Sequence, residues 1–351
     1  MAIPAGIAAA FAQQAVFCRS SGSPLTALVC EAAMLTIDES SATGRAIIDW
    51  PGHPFADALM MRFTGGCNAL VRAGAVPALA ALYPPAALPG VAAIAAALRA
   101  ILSDTGLDSR LCDWLDGPPQ TNEVGRSGVL MPGMMAIAAA TQLPLRLFEL
   151  GSSAGINLNL DRFGYDLGGL AAGDAVSAVQ LAPKWQGPTP PAGKVVIAAR
   201  RGVDINPLDV ADTATRERLM AYVWPDQGER VARAAAASAL AQAFPPPVDR
   251  GDAADWVEAN VVLTPGSVAV VFHSIAFQYF PPVSQARIAA HMAATGDAAT
   301  AEAPLAWLRY EMDDATQAEL PMLRLTLWQG GPPADQLLAR AHPHGAFVRW
   351  Q

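Results

Sequence analysis

Acidic and small polar residues follow a short apolar stretch near the middle of the chain, and their types suit the binding of a ligand. Glycines at 151 and 155 permit a tight turn and a close approach of the backbone to a ligand. An amphipathic helix is predicted to follow the turn, and its first N–H groups can receive an anion or a carboxylate. The predicted ligand residues of this turn are Glu149, Gly151, Ser152, Ser153, Gly155 and Asn157.

A second acidic turn occurs in the segment Arg201-Gly202-Val203-Asp204-Ile205-Asn206-Pro207. A carboxylate suits a vicinal diol, because each of its oxygens can accept one hydroxyl hydrogen. We predict that Asp204 and Ile205 contact the ligand. An Asp that only caps the next helix is the alternative.

Two later segments add polar residues after apolar stretches. Asp252 and Ala253 follow a short turn, where Asp252 can meet a ligand and also cap a helix. His273 and Ser274 follow the apolar run Val268–Phe272. His273 is predicted to act as a base or to orient a substrate, with a structural His as the alternative. Tyr279 is a further catalytic candidate.

The segment Gln120–Arg126 is polar between apolar helices. Asn122, Glu123 and Arg126 are spaced to share one helical face. We predict that they cover the ligand site, with Glu123 as a catalytic candidate and Arg126 as the partner of a ligand carboxylate. The alternative is a cluster of caps and ion pairs that joins the two halves of the chain.

The predicted secondary structure that must position these residues differs between the two parts of the chain. Residues 1–140 are rich in Ala, Leu and Met and carry apolar residues at helical spacing, which predicts a helical cap domain. Its predicted helices are Ile7–Phe17, Pro24–Leu35, Phe55–Val71 and Val91–Leu102.

Residues 141–351 alternate strand-like and helical runs, which predicts an α/β domain with a mostly parallel sheet and an antiparallel closing pair. The predicted strands are Leu145–Leu150, Val195–Ala199 or slightly later, Val268–Phe272, Leu305–Tyr310, Leu323–Trp328 and Ala346–Trp350. The predicted helices are Thr213–Val223, Arg230–Ala243, Ala253–Val262 and Ser284–Ala294. Residues 164–193, rich in Gly, Pro and Ala, are predicted to be an insertion outside the strand order and near the mouth of the site.

Three of these segments, taken in order, resemble the motifs of class I S-adenosylmethionine-dependent methyltransferases. Glu149 with Gly151 and Gly155 resembles an acid followed by G-x-G-x-G, with Ser153 at the middle glycine. Asp204 lies in a match to G-hydrophobic-D-hydrophobic-N-P, and Asp252 in the turn after the third strand.

The resemblance implies a Rossmann-like sheet and S-adenosylmethionine as the cofactor. It also implies that Asp204 accepts the ribose hydroxyls, that Asp252 meets the adenine amine and that His273 faces a small-molecule acceptor. The separation of Glu149 and Asp204 departs from the roughly 20 residues typical of related nucleotide folds. The insertion accounts for the difference.

The chain as a whole also resembles an uncharacterised bacterial family known only as a domain of unknown function. The recurrent segments are Gln120–Arg126, Glu149–Asn157, Asp204–Pro207, Val223–Pro225 and Val271–Ser274. This likeness implies no particular substrate.

Two other classes of function stay open. The run Gly151–Gly155 also satisfies G-x-S-x-G, the nucleophile elbow of α/β-hydrolases, with Ser153 as nucleophile. Asp252 or Asp204, and His273 or His344, would complete that triad. Glu149 beside the nucleophile weighs against it, because a negative charge opposes a developing oxyanion. A non-catalytic binding protein that retains a cofactor fold is the third possibility.

Composition limits the partners. The net charge of −8 in 351 residues lacks the basic excess of a duplex-binding surface, so nucleic acid is not expected. No apolar run reaches membrane-spanning length, and no Lys or Arg precedes the Ala-rich start, so we predict a cytoplasmic protein. Four widely spaced cysteines predict reduced, buried thiols, with a scattered zinc site as the alternative. The oligomeric state is open.

Overall fold

The structure of the chain is a computed structural model that describes residues 3–312 and 320–351. Chain contacts divide it into two compact units. One comprises Met1–Thr121 and Asp212–Ala234, and the other Asn122–Ala211 and Ala235–Gln351. The change in sequence character suggested a boundary near residue 140, whereas the contacts group residues 122–140 with the strands.

The first unit is mainly helical. The second unit has helices of its own, which cover its sheet. The α-helices of the described residues are α1 Ala5–Ser20, α2 Pro24–Met34, α3 Ala42–Ile48, α4 Leu59–Arg72, α5 Pro77–Ala80, α6 Val91–Ser103, α7 Thr105–Cys112, α8 Ser127–Thr141, α9 Thr213–Ala221, α10 Gly228–Ala243, α11 Ala253–Asn260 and α12 Pro282–Asp297. Proline at the first position of α2 and α12 fits the helical φ without loss of a hydrogen bond.

The strands lie in the second unit. They are β1 Leu145–Leu150, β2 Gly164–Asp166, β3 Ala171–Gly173, β4 Gln180–Leu181, β5 Lys184–Gln186, β6 Ile197–Asp204, β7 Val248–Arg250, β8 Val268–Ser274, β9 Leu305–Glu311, β10 Met322–Trp328, β11 Ala334–Ala341 and β12 Phe347–Trp350. Each of the six strands predicted from the sequence matches one of these within a few residues.

Nine of the strands form one mixed, mostly parallel sheet in the order β5-β12-β11-β10-β9-β8-β1-β6-β7. The five strands β7, β6, β1, β8 and β9 are parallel. Chain order reverses between β1 and β8, since β6 follows on one side and β8 on the other. In open α/β sheets, ligands bind at the carboxyl ends of the strands beside such a reversal.

The other side of the sheet differs from the predicted closing pair. β10 pairs antiparallel with β9, and β11 lies between β10 and β12. β11 escaped prediction because its first three residues are exposed and break the alternation of apolar side chains.

The predicted insertion forms mainly a separate sheet in the order β3-β2-β4. Its last strand, β5, nevertheless joins the edge of the large sheet beside β12, where Trp185 stacks on Trp350 with ring centroids 5.8 Å apart. The insertion therefore supplies an edge strand and no central one.

Each unit has its own apolar core. In the helical unit, residues of α1, α2, α4 and α6 pack together with Trp224. In the sheet unit, β1, β6, β8 and β9 pack against α11 and α12.

Cys18, Cys30 and Cys67 are buried and reduced, whereas Cys112 is half-buried. The described residues contain no group of three metal-ligating side chains, and none of their helices combines the length and apolarity needed to cross a membrane.

Candidate functional site

The turn after β1 is held against the end of β6. The backbone N–H groups of Gly151 and Ser152 donate to the Val203 carbonyl at 2.9 and 3.1 Å. Gly151, Ser153 and Gly155 all have positive φ, between 54° and 68°. Such backbone favours glycine, so Ser153 is an uncommon residue at its position.

Asp204 is the charged partner of this turn. One of its carboxylate oxygens accepts the Ser153 N–H at 2.7 Å, and the other accepts the Asn206 N–H at 2.8 Å. Each oxygen has a second lone pair, so the carboxylate retains capacity for further donors. Asp204 and the turn after β1 therefore form one cluster, despite their long separation in the sequence.

Glu149 is buried at the same edge of the sheet, with only 2% of its surface exposed. Its Oε2 has no hydrogen-bond partner among the described residues. Burial, reinforced by the negative charge of Asp204, raises the pKa of Glu149 well above its ordinary value, while Ser152 and Arg126 oppose that rise. A buried carboxyl of this kind marks a candidate site.

The two glycines of the turn face protein atoms. A Cβ on Gly151 would lie 2.7 Å from the Ala276 Cβ, and a Cβ on Gly155 would lie 2.7 Å from Val248 Cγ2. Close packing thus requires glycine at both positions. The region after Gly155 is also not the predicted α-helix. Ile156–Arg162 forms kinked 3₁₀ turns, and the Ile156 N–H donates to the Asn122 side chain at 2.8 Å, so it is not a free anion-binding group.

Asp252 caps α11, accepting the Ala254 and Asp255 N–H groups at 2.8 and 3.2 Å. Ser284 donates to its other carboxylate oxygen at 3.1 Å. β6 and β7 are parallel, and the Gly251 N–H donates to the Asp204 carbonyl at 3.1 Å. Asp252 and the buried Ala253 therefore lie at the same sheet edge as Asp204.

The segment before α8 is a cluster of caps at this edge. It contains a short 3₁₀ turn, Val124–Arg126, so its polar residues do not share one helical face. Glu123 accepts the Gly125 N–H at 2.9 Å, and Asn157 accepts the Ser127 hydroxyl at 2.7 Å. Arg126 donates to the Ser274 carbonyl at 2.7 Å and to the Pro343 carbonyl at 3.1 Å.

His273 is fully buried and both of its ring nitrogens are occupied. The Trp307 indole N–H donates to Nε2 at 3.0 Å, which leaves the proton on Nδ1 to be donated to Glu311 at 2.6 Å. Phe277 stacks on the ring at 4.7 Å between centroids. A base role would require the Trp307 bond to break, so this geometry favours a structural and positioning role.

Glu311 holds a strained turn after β8. Its Oε1 also accepts the Ala276 and Phe277 N–H groups, both at 3.1 Å. Ile275, just before them, has a φ of +48°, which is an outlier for a β-branched residue. Sequence reasoning missed Glu311, although an acid that ends an apolar strand at this edge repeats the signal that identified Glu149.

We expect Trp307→Phe to reduce the free energy of unfolding by about 1–3 kcal/mol, because it leaves His273 Nε2 buried without a donor. Urea unfolding measures this effect, and ¹⁵N spectra of the imidazole should report the loss of the fixed Nδ1–H form. Trp328→Phe is the matched control, since Trp328 lies in the same core. Equal losses in the two variants would show that ring volume, and not the bond to His273, is responsible.

Two of the predicted site residues are strongly exposed. Ile205, immediately after Asp204, is 78% exposed, and Tyr279 is 70% exposed. Both follow strands at the carboxyl edge of the sheet. An exposed apolar residue beside a carboxylate offers a flat ligand both a contact surface and a hydrogen-bond acceptor.

The arrangement does not assemble the hydrolase triad. Ser153 has the positive φ of a strained elbow, but its Oγ is buried without a hydrogen-bond partner in residues 3–312 and 320–351. Asp204 accepts the Ser153 backbone N–H, and both ring nitrogens of His273 are occupied. A base aligned by a third group would be needed to activate a serine.

The helical unit contains a separate, small pocket. Tyr222, Trp224, Asn68 and Tyr83 are among its lining residues. None of the predicted site residues lines it, so the pocket and the polar cluster at the sheet edge are different features.

The sheet and its cluster of acids define an α/β protein with polar groups gathered at the carboxyl ends of β1, β6 and β7. The chain belongs to the family described as an uncharacterized protein conserved in bacteria (DUF2332), which matches residues 8–350. The predicted likeness to an uncharacterised bacterial family is therefore confirmed. No curated protein and no solved structure matches the chain significantly.

Proposed function

We propose that the protein binds S-adenosylmethionine at the carboxyl edge of the sheet and transfers its methyl group to a small-molecule acceptor. One observation carries the proposal. Glu149, Asp204 and Asp252 follow or end the neighbouring strands β1, β6 and β7, in the spatial order that the resemblance to methyltransferases requires. The negative charge of Asp204 also raises the pKa of the Glu149 carboxyl, which supports a shared pocket for the two groups.

The polar atoms at this edge fit such a cofactor. Buried oxygens of Glu149 and Ser153 have no partner among the described residues, and a ligand that brings donors would satisfy them. Asp204 is proposed to accept the ribose hydroxyls, and Ile205 to contact the adenine face. Arg126, already near the Glu149 carboxyl, is proposed to hold the carboxylate of the methionine part.

Packing around Gly151 limits the side of the turn on which the cofactor can lie. Ala276 and Phe280 fill the space over Gly151, so the cofactor would lie on the side that runs from Ser153 to Asp204 and Asp252. There the cofactor supplies an electrophilic methyl group. The residues of the chain bind and orient the two reactants and exclude water.

A thermal-shift measurement with S-adenosylmethionine and S-adenosylhomocysteine tests the proposal. A ligand at 100 times its Kd should stabilise the chain by about 2.7 kcal/mol, which corresponds to a rise in Tm of roughly 3–5 °C for a chain of 351 residues. Asp204→Asn should weaken binding by about tenfold or more, since it removes the charge that assists the hydroxyl hydrogen bonds.

Asp166→Asn is the control for that variant, because Asp166 is an exposed aspartate of β2 whose carboxylate accepts the Gly169 N–H of its own turn. Binding that is unaffected by Asp204→Asn, or no binding at all by the wild type, would reject the proposed site. Binding without methyl transfer to any acceptor in a broad panel would favour a non-catalytic cofactor-binding protein instead.

A further inference from the structure

A loop rich in aromatic residues leaves the carboxyl end of β8. Residues 275–283, here called the aromatic loop, have the sequence Ile-Ala-Phe-Gln-Tyr-Phe-Pro-Pro-Val and lead into the first turn of α12. The loop contains no Asp, Glu, Lys, Arg or His. Tyr279 and Val283 are 70% and 67% exposed, while Phe277 and Phe280 are half-buried. The loop thus presents uncharged, largely apolar surface to solvent.

The aromatic loop is tied to residues of the proposed cofactor site at two points. A Cβ on Gly151 would lie 3.5 Å from Cζ and 3.6 Å from Cε1 of Phe280, so the edge of that ring lies against the turn after β1. Ser284, the residue after the loop, donates to the Asp252 carboxylate at 3.1 Å. The loop therefore lies beside both the turn after β1 and the acid after β7.

Side chains from outside the aromatic loop fix its backbone. Glu311 accepts two backbone N–H groups of the loop, both at 3.1 Å. The Gln285 amide donates to the Phe277 and Phe280 carbonyls at 3.0 and 2.9 Å. The Phe277 ring stacks on His273 and lies 5.5 Å from the Phe280 ring, measured between centroids. The exposed side chains are therefore presented by an ordered backbone, and a ligand that contacts them does not have to order the loop.

This combination of order, strain and exposure is typical of a binding surface. Ile275 has a φ of +48°, and backbone strain of that kind occurs mainly at active sites and ligand-binding sites. Single exposed apolar residues need no explanation, but groups of them mark surfaces that contact a ligand or a partner. Tyr279, Phe280 and Val283 are close neighbours on one ordered loop. The aromatic loop therefore has the features of a preformed contact surface at this edge of the sheet.

The composition of the aromatic loop limits what it can bind. A charged ligand that leaves water needs an opposite charge or several hydrogen bonds in return, and the loop has no charged side chain. The Tyr279 ring, in contrast, offers a face to an aromatic partner, since aromatic pairs prefer offset stacked or edge-to-face contacts. Exposed Pro281 and Val283 add apolar surface. The ligand that fits this surface best is uncharged and has a flat, aromatic body.

We propose that the aromatic loop binds the methyl acceptor, and that this acceptor is an uncharged molecule with an aromatic body. The inference rests on the proposed function. Contact with Tyr279 and Phe280 holds the acceptor beside Gly151, next to the cofactor that the turn after β1 is proposed to bind. The part of the loop in the reaction is to bind and orient the acceptor.

The test uses the tyrosines of the full chain as reporters. The chain has five tyrosines, and the four besides Tyr279 are at most 6% exposed, namely Tyr83, Tyr165, Tyr222 and Tyr310. The protein is labelled with ¹³C at its tyrosine rings, saturated with S-adenosylhomocysteine and titrated with 2-naphthol. The NMR signals of the Tyr279 ring should shift and saturate, while the signals of the four buried tyrosines stay in place.

Two further probes test the chemistry of the ligand. The anion 2-naphthoate has the same rings with a negative charge, and it should bind more weakly by roughly tenfold or more, since the loop does not compensate that charge. Decahydro-2-naphthol has the hydroxyl and two rings without the π-system, and it should bind roughly 3- to 10-fold more weakly than 2-naphthol. Equal affinity of 2-naphthol and either of these probes would overturn the assignment of an uncharged aromatic acceptor.

Variants measured by calorimetry separate the aromatic loop from the cofactor site. Tyr279→Ser should weaken 2-naphthol binding by roughly tenfold, because it removes the ring, and should keep S-adenosylhomocysteine affinity within about twofold. Tyr279→Phe keeps the ring and should retain 2-naphthol affinity within about twofold. Val176→Ser is the matched control, since Val176 is 91% exposed and lies outside the loop. This control should change neither affinity.

The possible failures of the loop and of the cofactor site are distinguishable. Unshifted Tyr279 signals in the S-adenosylhomocysteine complex, or unchanged 2-naphthol affinity in Tyr279→Ser, would overturn the role of the aromatic loop while the proposed cofactor site stands. Failure of S-adenosylhomocysteine to bind would instead reject the proposed function. Binding of 2-naphthol at Tyr279 in that case would leave the loop as a binding surface and overturn its link to methyl transfer.

Discussion

Gly155→Val is expected to lower the free energy of unfolding by about 2–5 kcal/mol, whether or not a ligand binds at the turn. Positive φ costs a residue with a Cβ roughly 1–2 kcal/mol, and Gly155 has a φ of +67°. Its new Cβ would in addition lie 2.7 Å from Val248 and 2.9 Å from Pro246, and such overpacking costs about 1–3 kcal/mol. Urea or thermal unfolding measures the sum.

Gly266→Val separates the two contributions. Gly266 has a φ of +79°, but a Cβ there would meet no atom within 4 Å. This control should show the cost of backbone strain alone. If both variants lose the same stability, the packing of β7 against the turn has no part in the need for glycine. Loss of ligand binding in Gly155→Val could then be assigned to the ligand contact itself.

Glu149→Gln is expected to stabilise the protein and to weaken cofactor binding. Burial raises the pKa of Glu149 in the folded state above its ordinary value of 4.5. Between those two values the folded chain holds a proton that the unfolded chain releases, so the wild type loses stability as pH rises through this window. The variant carries no such group. Its gain should be near zero below pH 4.5 and reach about 1–3 kcal/mol toward pH 8.

The same substitution removes the carboxylate proposed to meet the cofactor, so affinity should fall by roughly 10- to 100-fold. The pH series of unfolding free energies and a binding titration at pH 8 give the two readings. Glu258→Gln is the control, because Glu258 is exposed and paired with Arg287. A destabilised Glu149→Gln at pH 8 would mean that the carboxylate has internal partners that compensate its burial.

The sheet was predictable where strands are long and apolar. β1 and β8 were placed correctly because both are buried runs bounded by turn residues. β7 has only three residues, Val248–Arg250, too few to show a period. β5 lies inside the insertion, and its pairing with β12 is a long-range contact that no local pattern encodes.

The site was predictable as a set of residue types and not as a set of contacts. Asp204 is joined to the turn after β1 as the separated motifs suggested. The sequence could not indicate that Trp307 and Glu311 would occupy both nitrogens of His273, since those partners come from a neighbouring strand. Nor could it indicate that Arg126 would reach backbone carbonyls at two distant points of the chain.

The ranges of the two units alternate along the sequence, and this order has a consequence for synthesis on the ribosome. The helical unit depends on residues 212–234, where Asp226 accepts the Leu25 N–H at the start of α2 at 2.7 Å and Trp224 enters the core. These residues are translated after β1 and β6. The helices that are synthesised first therefore stay incompletely packed until residues 212–234 have also left the exit tunnel, after the first strands. Such incompletely packed segments expose apolar surface, so we expect nascent chains of this architecture to bind chaperones.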